Sequence, residues 1–279
     1  MEFFFKNQNI FRRYVALPQD HGSWVFLFSP LLIGLFIGGS LNVATGYLIL
    51  AAISAFLLRQ PLSIAIKAYS GRRSPRDLPA ARFWISIYAL IGLAAVAGLI
   101  SQGFGYLLYL ALPGAPVFAW HLYLVSKRAE RKQMGVEMVG SGVLALTATA
   151  AYWVGQGRPD PLGWWLFGLV WLQSAASIVY AYLRLEQRPL RIEPDFITRI
   201  QMGSRALLYT TFNLVAAIGL SLGGITPALI ALPYLLQWAE TIRGTLKPAM
   251  QEKPRAIGMR QLAVSTLFTL LFILAWQFS

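Results

Sequence analysis

The chain has 279 residues, of which 57% are hydrophobic and only 13% are charged. A soluble domain usually carries about 25% charged residues, because it must cover its surface with groups that water solvates. The composition therefore excludes a soluble globular protein, and the high hydrophobicity excludes an intrinsically disordered chain. We predict an all-α, multi-pass membrane protein.

The basic excess has a simple explanation in a membrane protein. The chain carries 24 lysines and arginines against 11 acidic residues, a formal net charge of +13. Such an excess often indicates a nucleic-acid partner, but basic residues also collect at the cytoplasmic face of membrane proteins. We therefore predict a lipid bilayer and no nucleic acid. With no cysteine and only His21 and His121, we predict neither a metal site nor a cofactor.

Apolar segments long enough to cross a bilayer follow one another along the chain. A spanning helix needs roughly 17–25 mostly apolar residues. We predict a single transmembrane domain over residues 1–279, a helical bundle of about nine spans. The predicted spans are 23–39, 43–58, 83–100, 104–125, 138–154, 163–183, 206–222, 225–238 and 261–277. We expect the second helix to continue with a polar face toward Tyr69, broken or kinked at Pro61.

The positions of the cations predict the orientation of the spans. Nearly all of them fall in the N-terminal arm and in the connections after spans 2, 4, 6 and 8, which share one face of the membrane. Only Arg158 lies in a connection on the other face. The positive-inside rule then predicts a cytoplasmic N-terminus and an external C-terminus in a bacterial inner membrane.

Two polar clusters lie near the cytoplasmic ends of spans 1 and 2. Asp20 and His21 precede span 1 and suit acid/base or ligand-binding chemistry, although a helix cap explains Asp20 equally well. Arg59, Ser63 and Lys67 are spaced i, i+4, i+8 and share one helical face. Two cations and a hydroxyl on one face suit a phosphate or carboxylate, whereas snorkelling of both cations to the interface is the structural alternative.

Two further clusters end spans 4 and 6. His121 and Lys127 lie at the end of span 4, where an interfacial belt is the structural alternative to ligand binding. Tyr180 and Arg184 lie at the end of span 6, beside small residues that also suit close helix packing. Motifs of soluble hydrolases, kinases and zinc enzymes do not occur in the sequence.

Three motifs resemble the YwiC-like bacterial membrane proteins. They are the segment Leu17-Pro18-Gln19-Asp20-His21-Gly22-Ser23-Trp24, the triplet Arg59-Gln60-Pro61, and the closing Lys253-Pro254-Arg255-Ala256-Ile257-Gly258. The resemblance covers essentially the whole chain. It implies a membrane location and no particular activity.

The predicted topology is also similar to that of the UbiA prenyltransferase superfamily. That resemblance implies nine helices, a cytoplasmic N-terminus and functional loops after helices 2 and 6. In those enzymes, Asp-rich motifs in the two loops hold magnesium and a prenyl diphosphate. Here residues 59–76 contain no acidic residue and residues 180–191 contain only Glu186. Because Mg²⁺ prefers carboxylate oxygens, we do not expect magnesium-dependent departure of a diphosphate.

Three hypotheses about function follow. The first is binding of an anionic amphipathic ligand, of the lipid or isoprenoid phosphate type, in a cavity that faces the cytoplasm. The sequence leaves open whether the protein also transfers that ligand as a divergent UbiA-like enzyme. The alternatives are a membrane transporter and a non-enzymatic partner or assembly factor of a membrane complex. The predicted ligand-binding residues are Asp20, His21, Arg59, Ser63, Lys67, His121, Lys127, Tyr180 and Arg184.

Overall fold

The computed structural model describes residues 10–18, 21–128 and 133–278. In these residues all regular secondary structure is helical, and loops and turns connect the helices. In chain order the helices are α1 Arg13–Ala16, α2 Val25–Gly38, α3 Val43–Tyr69, α4 Leu78–Ser101, α5 Leu108–Ser126, α6 Met134–Gln156, α7 Leu162–Gln187, α8 Phe196–Leu222, α9 Ala231–Leu246 and α10 Pro254–Gln277. Short 3₁₀ turns occur at His21–Trp24, Pro75–Asp77, Gly105–Leu107 and Ala228–Ile230. The all-α prediction is confirmed.

Within the described ranges, seven helices are long and apolar enough to cross a membrane. They are Val43–Tyr69, Pro75–Ser101, Gly105–Ser126, Met134–Gln156, Leu162–Gln187, Phe196–Leu222 and Pro254–Gln277. The protein is therefore a multi-pass membrane protein. The first predicted span lies on the shorter apolar helix Gly22–Gly38, and the eighth lies on α9. The total of nine spans stays a prediction.

Several helices continue past the ends of the predicted spans. Helix α3 runs without interruption through Pro61, which is buried, so this proline does not end the helix. Helix α5 likewise continues through Pro113 and Pro116. Membrane helices tolerate internal proline, because neighbouring groups and local adjustments satisfy the carbonyls that proline frees.

Residue contacts divide the chain into two compact units, which we describe separately. Unit 1 comprises the described residues of Met1–Ser23 and Leu41–Val136, and unit 2 those of Trp24–Ser40 and Glu137–Ser279. In unit 1, α3 and α4 pack along each other and α5 packs beside α3. We call the region where α3 and α5 end and α4 begins, together with residues 10–16, the basic end of unit 1.

The N-terminal segment of unit 1 docks onto α3 and α4 at this end. Val15 is fully buried in a cluster with apolar residues of both helices. Side chains also bind the carbonyls of the segment: Gln60 Nε2 donates to Tyr14 O at 3.0 Å, and Tyr88 Oη donates to Ala16 O at 3.0 Å. These bonds matter because residues 10–16 form only a single helical turn and must satisfy their other polar groups elsewhere.

In unit 2, α9 lies beside α7 with a polar face buried between them. Tyr234 Oη donates to Leu169 O at 2.9 Å, and Gln237 Nε2 donates to Gln173 O at 3.0 Å. Farther along, Gly244 O accepts from α7 side chains. A helix with so polar a face has to pack against protein, because lipid offers those groups no hydrogen bonds. This explains why α9 is less apolar than the seven helices above.

Helices α2 and α6 of unit 2 approach closely at glycines. A side chain at Gly34 would overlap the Ala148 carbonyl oxygen, and one at Gly155 would overlap the backbone of Gly38. Small residues at helix contacts are common in membrane proteins, since packing is the main force that joins helices in lipid.

Candidate functional site at the basic end of unit 1

The polar stripe predicted on α3 lies on one continuous helix. Arg59, Ser63 and Lys67 are all half-buried. The guanidinium carbon of Arg59 lies 5.6 Å from the centroid of the Phe56 ring, which is buried. A ring at this distance attracts the cation and limits the positions that the side chain adopts. Helix α3 carries no acidic residue, so its polar face is purely cationic and hydroxylic.

Helix α5 brings two further predicted residues to the same end of the unit. The Arg72 side chain, just past the end of α3, donates a hydrogen bond to Val125 O near the end of α5. His121 precedes Val125 by about one turn of α5, so it lies level with the end of α3. Lys127 is exposed, and its Nζ lies 5.8 Å from the Tyr123 ring centroid.

The structure describes only part of the predicted pair Asp20 and His21. Asp20 lies outside the described residues. His21 begins the 3₁₀ turn that leads into α2, and nothing is described of its side chain. The pairing of a carboxylate and an imidazole therefore stays a prediction.

Unit 1 has a strongly one-sided charge. Its described residues carry ten lysines and arginines, and Asp77 is the only carboxylate among them. The ten cations are Arg12, Arg13, Arg59, Lys67, Arg72, Arg73, Arg76, Arg82, Lys127 and Arg128. The stripe on α3 therefore lies in a positive field that attracts anions.

Asp77 joins the N-terminal segment to the start of α4. Its Oδ1 accepts hydrogen bonds from Arg12 Nη1 at 2.5 Å and Tyr14 Oη at 2.7 Å, and its Oδ2 accepts one from Arg73 Nε at 2.6 Å. The carboxylate is only 6% exposed. Its hydrogen-bonding partners Tyr14 and Asp77 raise the pKa of the Arg12 guanidinium. Two of the ten cations are thus paired with Asp77, and the excess positive charge remains.

Tyr180, predicted as a ligand-binding residue, lies in unit 2 and contacts a buried carboxylate. Its Oη donates to Glu240 Oε1 at 2.9 Å. Arg260 binds the same carboxylate through both oxygens, with Nε at 2.5 Å from Oε1 and Nη2 at 2.6 Å from Oε2. Gly244 permits this approach, because a side chain there would overlap the Tyr180 ring. Buried charges are stable only when paired in this way.

Arg184 is engaged with backbone carbonyls at the end of α9. Its Nη1 donates to Gly244 O at 2.9 Å, to Lys247 O at 2.6 Å and to Gln187 Oε1 at 2.9 Å. Its Nη2 lies 3.3 Å from Glu252 Oε1. A cation suits the end of a helix, where carbonyls lack intrahelical partners. The geometry supports an anchoring role for Arg184, which holds the connection between α9 and α10.

Several important residues did not stand out in the sequence. Asp77 lies in a basic loop and Glu240 follows the eighth predicted span, so the sequence alone gives neither a role. Their partners Arg12 and Arg260 are 65 and 20 residues away. The available signal was the scarcity of acids, since an isolated carboxylate beside an apolar segment requires a partner.

Comparisons with known proteins support the family resemblance. Residues 17–152 match the profile of the YwiC-like protein family. The uncharacterized protein YwiC of Bacillus subtilis (strain 168) is 25% identical over 167 residues, which are 58% of this chain and 62% of that protein. The chain thus matches less than two thirds of the relative's length. No solved structure gives a significant match. The YwiC-like resemblance is confirmed for residues 17–152, slightly less than half of the chain, and the closing motif at 253–258 lies outside that match. The similarity to the UbiA superfamily stays a prediction.

Proposed function

We propose that this membrane protein binds an anionic amphipathic ligand, of the lipid or isoprenoid phosphate class, at the basic end of unit 1. The main support for this proposal is that Arg59, Ser63 and Lys67 share one face of the uninterrupted helix α3. The matched family segment, residues 17–152, includes this stripe.

The chemistry of the stripe suits a phosphate group. A guanidinium can donate two parallel hydrogen bonds to phosphate oxygens, and an ammonium provides a compact positive charge. A hydroxyl donates one further hydrogen bond. The three side chains are half-buried, so their attraction for an anion is screened less than that of fully exposed cations. The acyl or isoprenoid chain of such a ligand stays in the bilayer, against the apolar surfaces of the helices.

The field of the whole basic end reinforces this local preference. Ten cations against one carboxylate in the described part of unit 1 favour a ligand with more than one negative charge. We further propose that this end faces the cytoplasm and that the protein lies in the inner membrane, because basic connections remain on the cytoplasmic side. Tyr180 and Arg184 belong to other contacts in unit 2, so the proposal does not depend on them.

The test compares lipid binding by two charge-matched double variants. Arg59→Gln/Lys67→Gln removes both cations of the stripe, and Arg76→Gln/Arg82→Gln removes two exposed cations from the same basic end. Purified proteins would be titrated with phosphatidic acid, farnesyl diphosphate and phosphatidylcholine, and binding measured by native mass spectrometry.

We expect the stripe variant to bind the two anionic ligands at least about tenfold more weakly, since a hydrogen bond to a charged group contributes about 1.5–3 kcal/mol. The control variant should stay within about threefold of the wild type. Equal losses in the two variants would show that only the overall charge matters. In that case the cations are snorkelling groups without a site.

A further inference from the structure

Two buried amides meet on α7 in the middle of unit 2. Asn213 of α8 is 1% exposed, and Gln237 of α9 is 5% exposed. Asn213 Nδ2 donates to Leu172 O at 2.8 Å, and Gln237 Nε2 donates to Gln173 O at 3.0 Å. Successive carbonyl oxygens of a helix lie roughly 3–4 Å apart, so the two amide groups are neighbours.

The orientation of both amides is fixed by chemistry. A backbone carbonyl only accepts hydrogen bonds, so the NH₂ group of each side chain must face α7. Asn213 Oδ1 and Gln237 Oε1 then point away from those carbonyls, and neither has a donor among the described residues. A buried acceptor without a partner has lost its hydration with no hydrogen bond to replace it, which lowers the stability of the fold. Two such oxygens, on amides that bind successive carbonyls of α7, therefore suggest a bound group.

Two threonines add oxygens beside this pair. Thr210 precedes Asn213 by three residues on α8, and Thr241 follows Gln237 by four on α9, so each shares the face of its amide. Both are 1% exposed, and both donate their hydroxyl hydrogen to their own helix, to Ala206 O and Gln237 O. Their oxygen lone pairs remain available to a ligand.

The contact between the two helices brings these four side chains to the same part of unit 2. Helices α8 and α9 pack against each other, and Trp238 Nε1 donates to Thr211 Oγ1 at 3.0 Å. Residues 210–213 therefore lie beside residues 237–241. Leu172 and Gln173 are near the midpoint of α7, Leu162–Gln187, so the cluster is remote from both ends of that helix.

A cluster of oxygens with no donor to offer suits a cation. The four side chains are uncharged, whereas Ca²⁺ and Mg²⁺ prefer carboxylate ligands. The carboxylate nearest in sequence, Glu240, is three residues from Gln237 and is already bound by Arg260. We propose that Thr210, Asn213, Gln237 and Thr241 bind a small monovalent cation such as sodium. This site belongs to unit 2 and stands independently of the proposed anion site.

The proposal is tested by the thermal stability of the full-length protein in detergent. Unfolding would be followed in sodium chloride and in N-methyl-D-glucamine chloride at equal ionic strength. A cation that binds only the folded protein stabilises it in proportion to RT ln(1 + [L]/Kd). We expect the melting temperature to be higher in sodium, to saturate with concentration, and to depend on the choice of lithium, sodium or potassium.

Matched variants locate the effect. Asn213→Leu and Gln237→Leu should abolish the sodium-dependent rise, and without sodium they should melt at or above the wild-type temperature, because each removes an unpaired buried oxygen. Thr226→Val is the control, since Thr226 Oγ1 is also buried without a partner but lies in the connection before α9. It should keep the sodium response.

Two outcomes would overturn the proposal. One is an identical wild-type melting temperature in sodium and N-methyl-D-glucamine. The other is an equal sodium response in the wild type and Asn213→Leu. If the leucine variants fail to fold, Thr210→Val and Thr241→Val replace them, because valine keeps the side-chain volume of threonine. A sodium-dependent rise in melting temperature that is undiminished in both would also overturn the proposal.

Discussion

Glu240 owes its stability in unit 2 to the donors around it. A carboxylate at 9% exposure has lost most of its hydration, which costs several kcal/mol for each buried ion. Arg260 replaces that hydration with two hydrogen bonds, and Tyr180 supplies a third. The partner is less buried, since the Arg260 side chain is 41% exposed. The carboxylate of this pair therefore depends on its partner more than the guanidinium does.

This asymmetry predicts different costs for the two single substitutions. Arg260→Ala leaves the buried carboxylate with Tyr180 and with the exposed Arg243, whose Nη1 lies 3.8 Å from Glu240 Oε2. We expect this substitution to lower the free energy of unfolding by about 3–5 kcal/mol. Glu240→Ala should cost less, because the half-exposed guanidinium of Arg260 can turn toward water. Unfolding in detergent measures both effects.

Arg255→Ala is the matched control for this prediction. Arg255 is an exposed cation in the first turn of the same helix, α10, and its removal should change stability by less than about 0.5 kcal/mol. A larger loss for Glu240→Ala than for Arg260→Ala would contradict the account.

At the scale of single residues, the sequence predicts which side chains share one face of a helix. It does not predict which side chains form hydrogen bonds or ion pairs with distant parts of the chain. The spacing of Arg59, Ser63 and Lys67 depends only on helical geometry, and it could be predicted because α3 is continuous. The contacts of Arg184 and Asp77 depend on segments distant in sequence, such as residues 244–252 and the N-terminal segment. One sequence without its fold cannot supply those partners.

At the scale of helices, hydropathy does not predict where a helix ends. The eighth predicted span ends at 238, because charges follow at Glu240 and Arg243. Helix α9 instead runs to Leu246. Its polar groups bind α7, so they do not have to reach water. Hydropathy records composition and cannot show that a polar face is covered by another helix.

The close approach of α2 and α6 predicts a cost for one added methyl group. In Gly34→Ala the new Cβ would overlap the Ala148 carbonyl oxygen, which is backbone and cannot rotate away. The two helices must separate, and we expect a loss of about 1–3 kcal/mol in unfolding free energy.

Gly46→Ala is the control for Gly34→Ala. Gly46 is also helical, but no atom lies within 4 Å of the position its Cβ would take. Alanine there should be neutral or should stabilise α3 by up to about 1 kcal/mol. Equal melting temperatures for the two variants would show that the α2–α6 contact is looser than the structure indicates.

The docked N-terminal segment predicts a protease-sensitive variant. Asp77→Asn weakens the charge-assisted bonds from Arg12 and Arg73 that fix the segment to the start of α4. We expect trypsin to cut after Arg12 and Arg13 several-fold faster in this variant, as followed by mass spectrometry of the N-terminal fragments.

Asp195→Asn is the control for this experiment, because Asp195 is exposed at the start of α8 in unit 2. It should leave cleavage at the N-terminus unchanged. An unchanged cutting rate in Asp77→Asn would mean that the buried Val15 and the carbonyl bonds hold the segment without the ion pairs.

At the scale of the whole molecule, composition alone establishes the class of protein. The low charged fraction requires a membrane, and the seven helices of the described residues that are apolar enough to span a bilayer agree with it. The orientation depends on a different property, the distribution of the cations among the connections. Because that distribution is so one-sided, each unit should keep its basic connections on the same side of the membrane, and the odd number of predicted spans should separate the two termini.

Single cysteines can test this orientation, because the chain has no cysteine of its own. Ser70 follows the last residue of α3, and Ser101 is the last residue of α4, so these two exposed serines lie at opposite ends of the α3–α4 pair. Phe278 is 76% exposed near the C-terminus. In intact cells a membrane-impermeant maleimide should label Ser101→Cys and Phe278→Cys, and it should label Ser70→Cys only after permeabilisation. Labelling of Phe278→Cys together with Ser70→Cys would indicate an even number of spans. Exchange of all three patterns would invert the protein and place the basic end of unit 1 outside the cytoplasm.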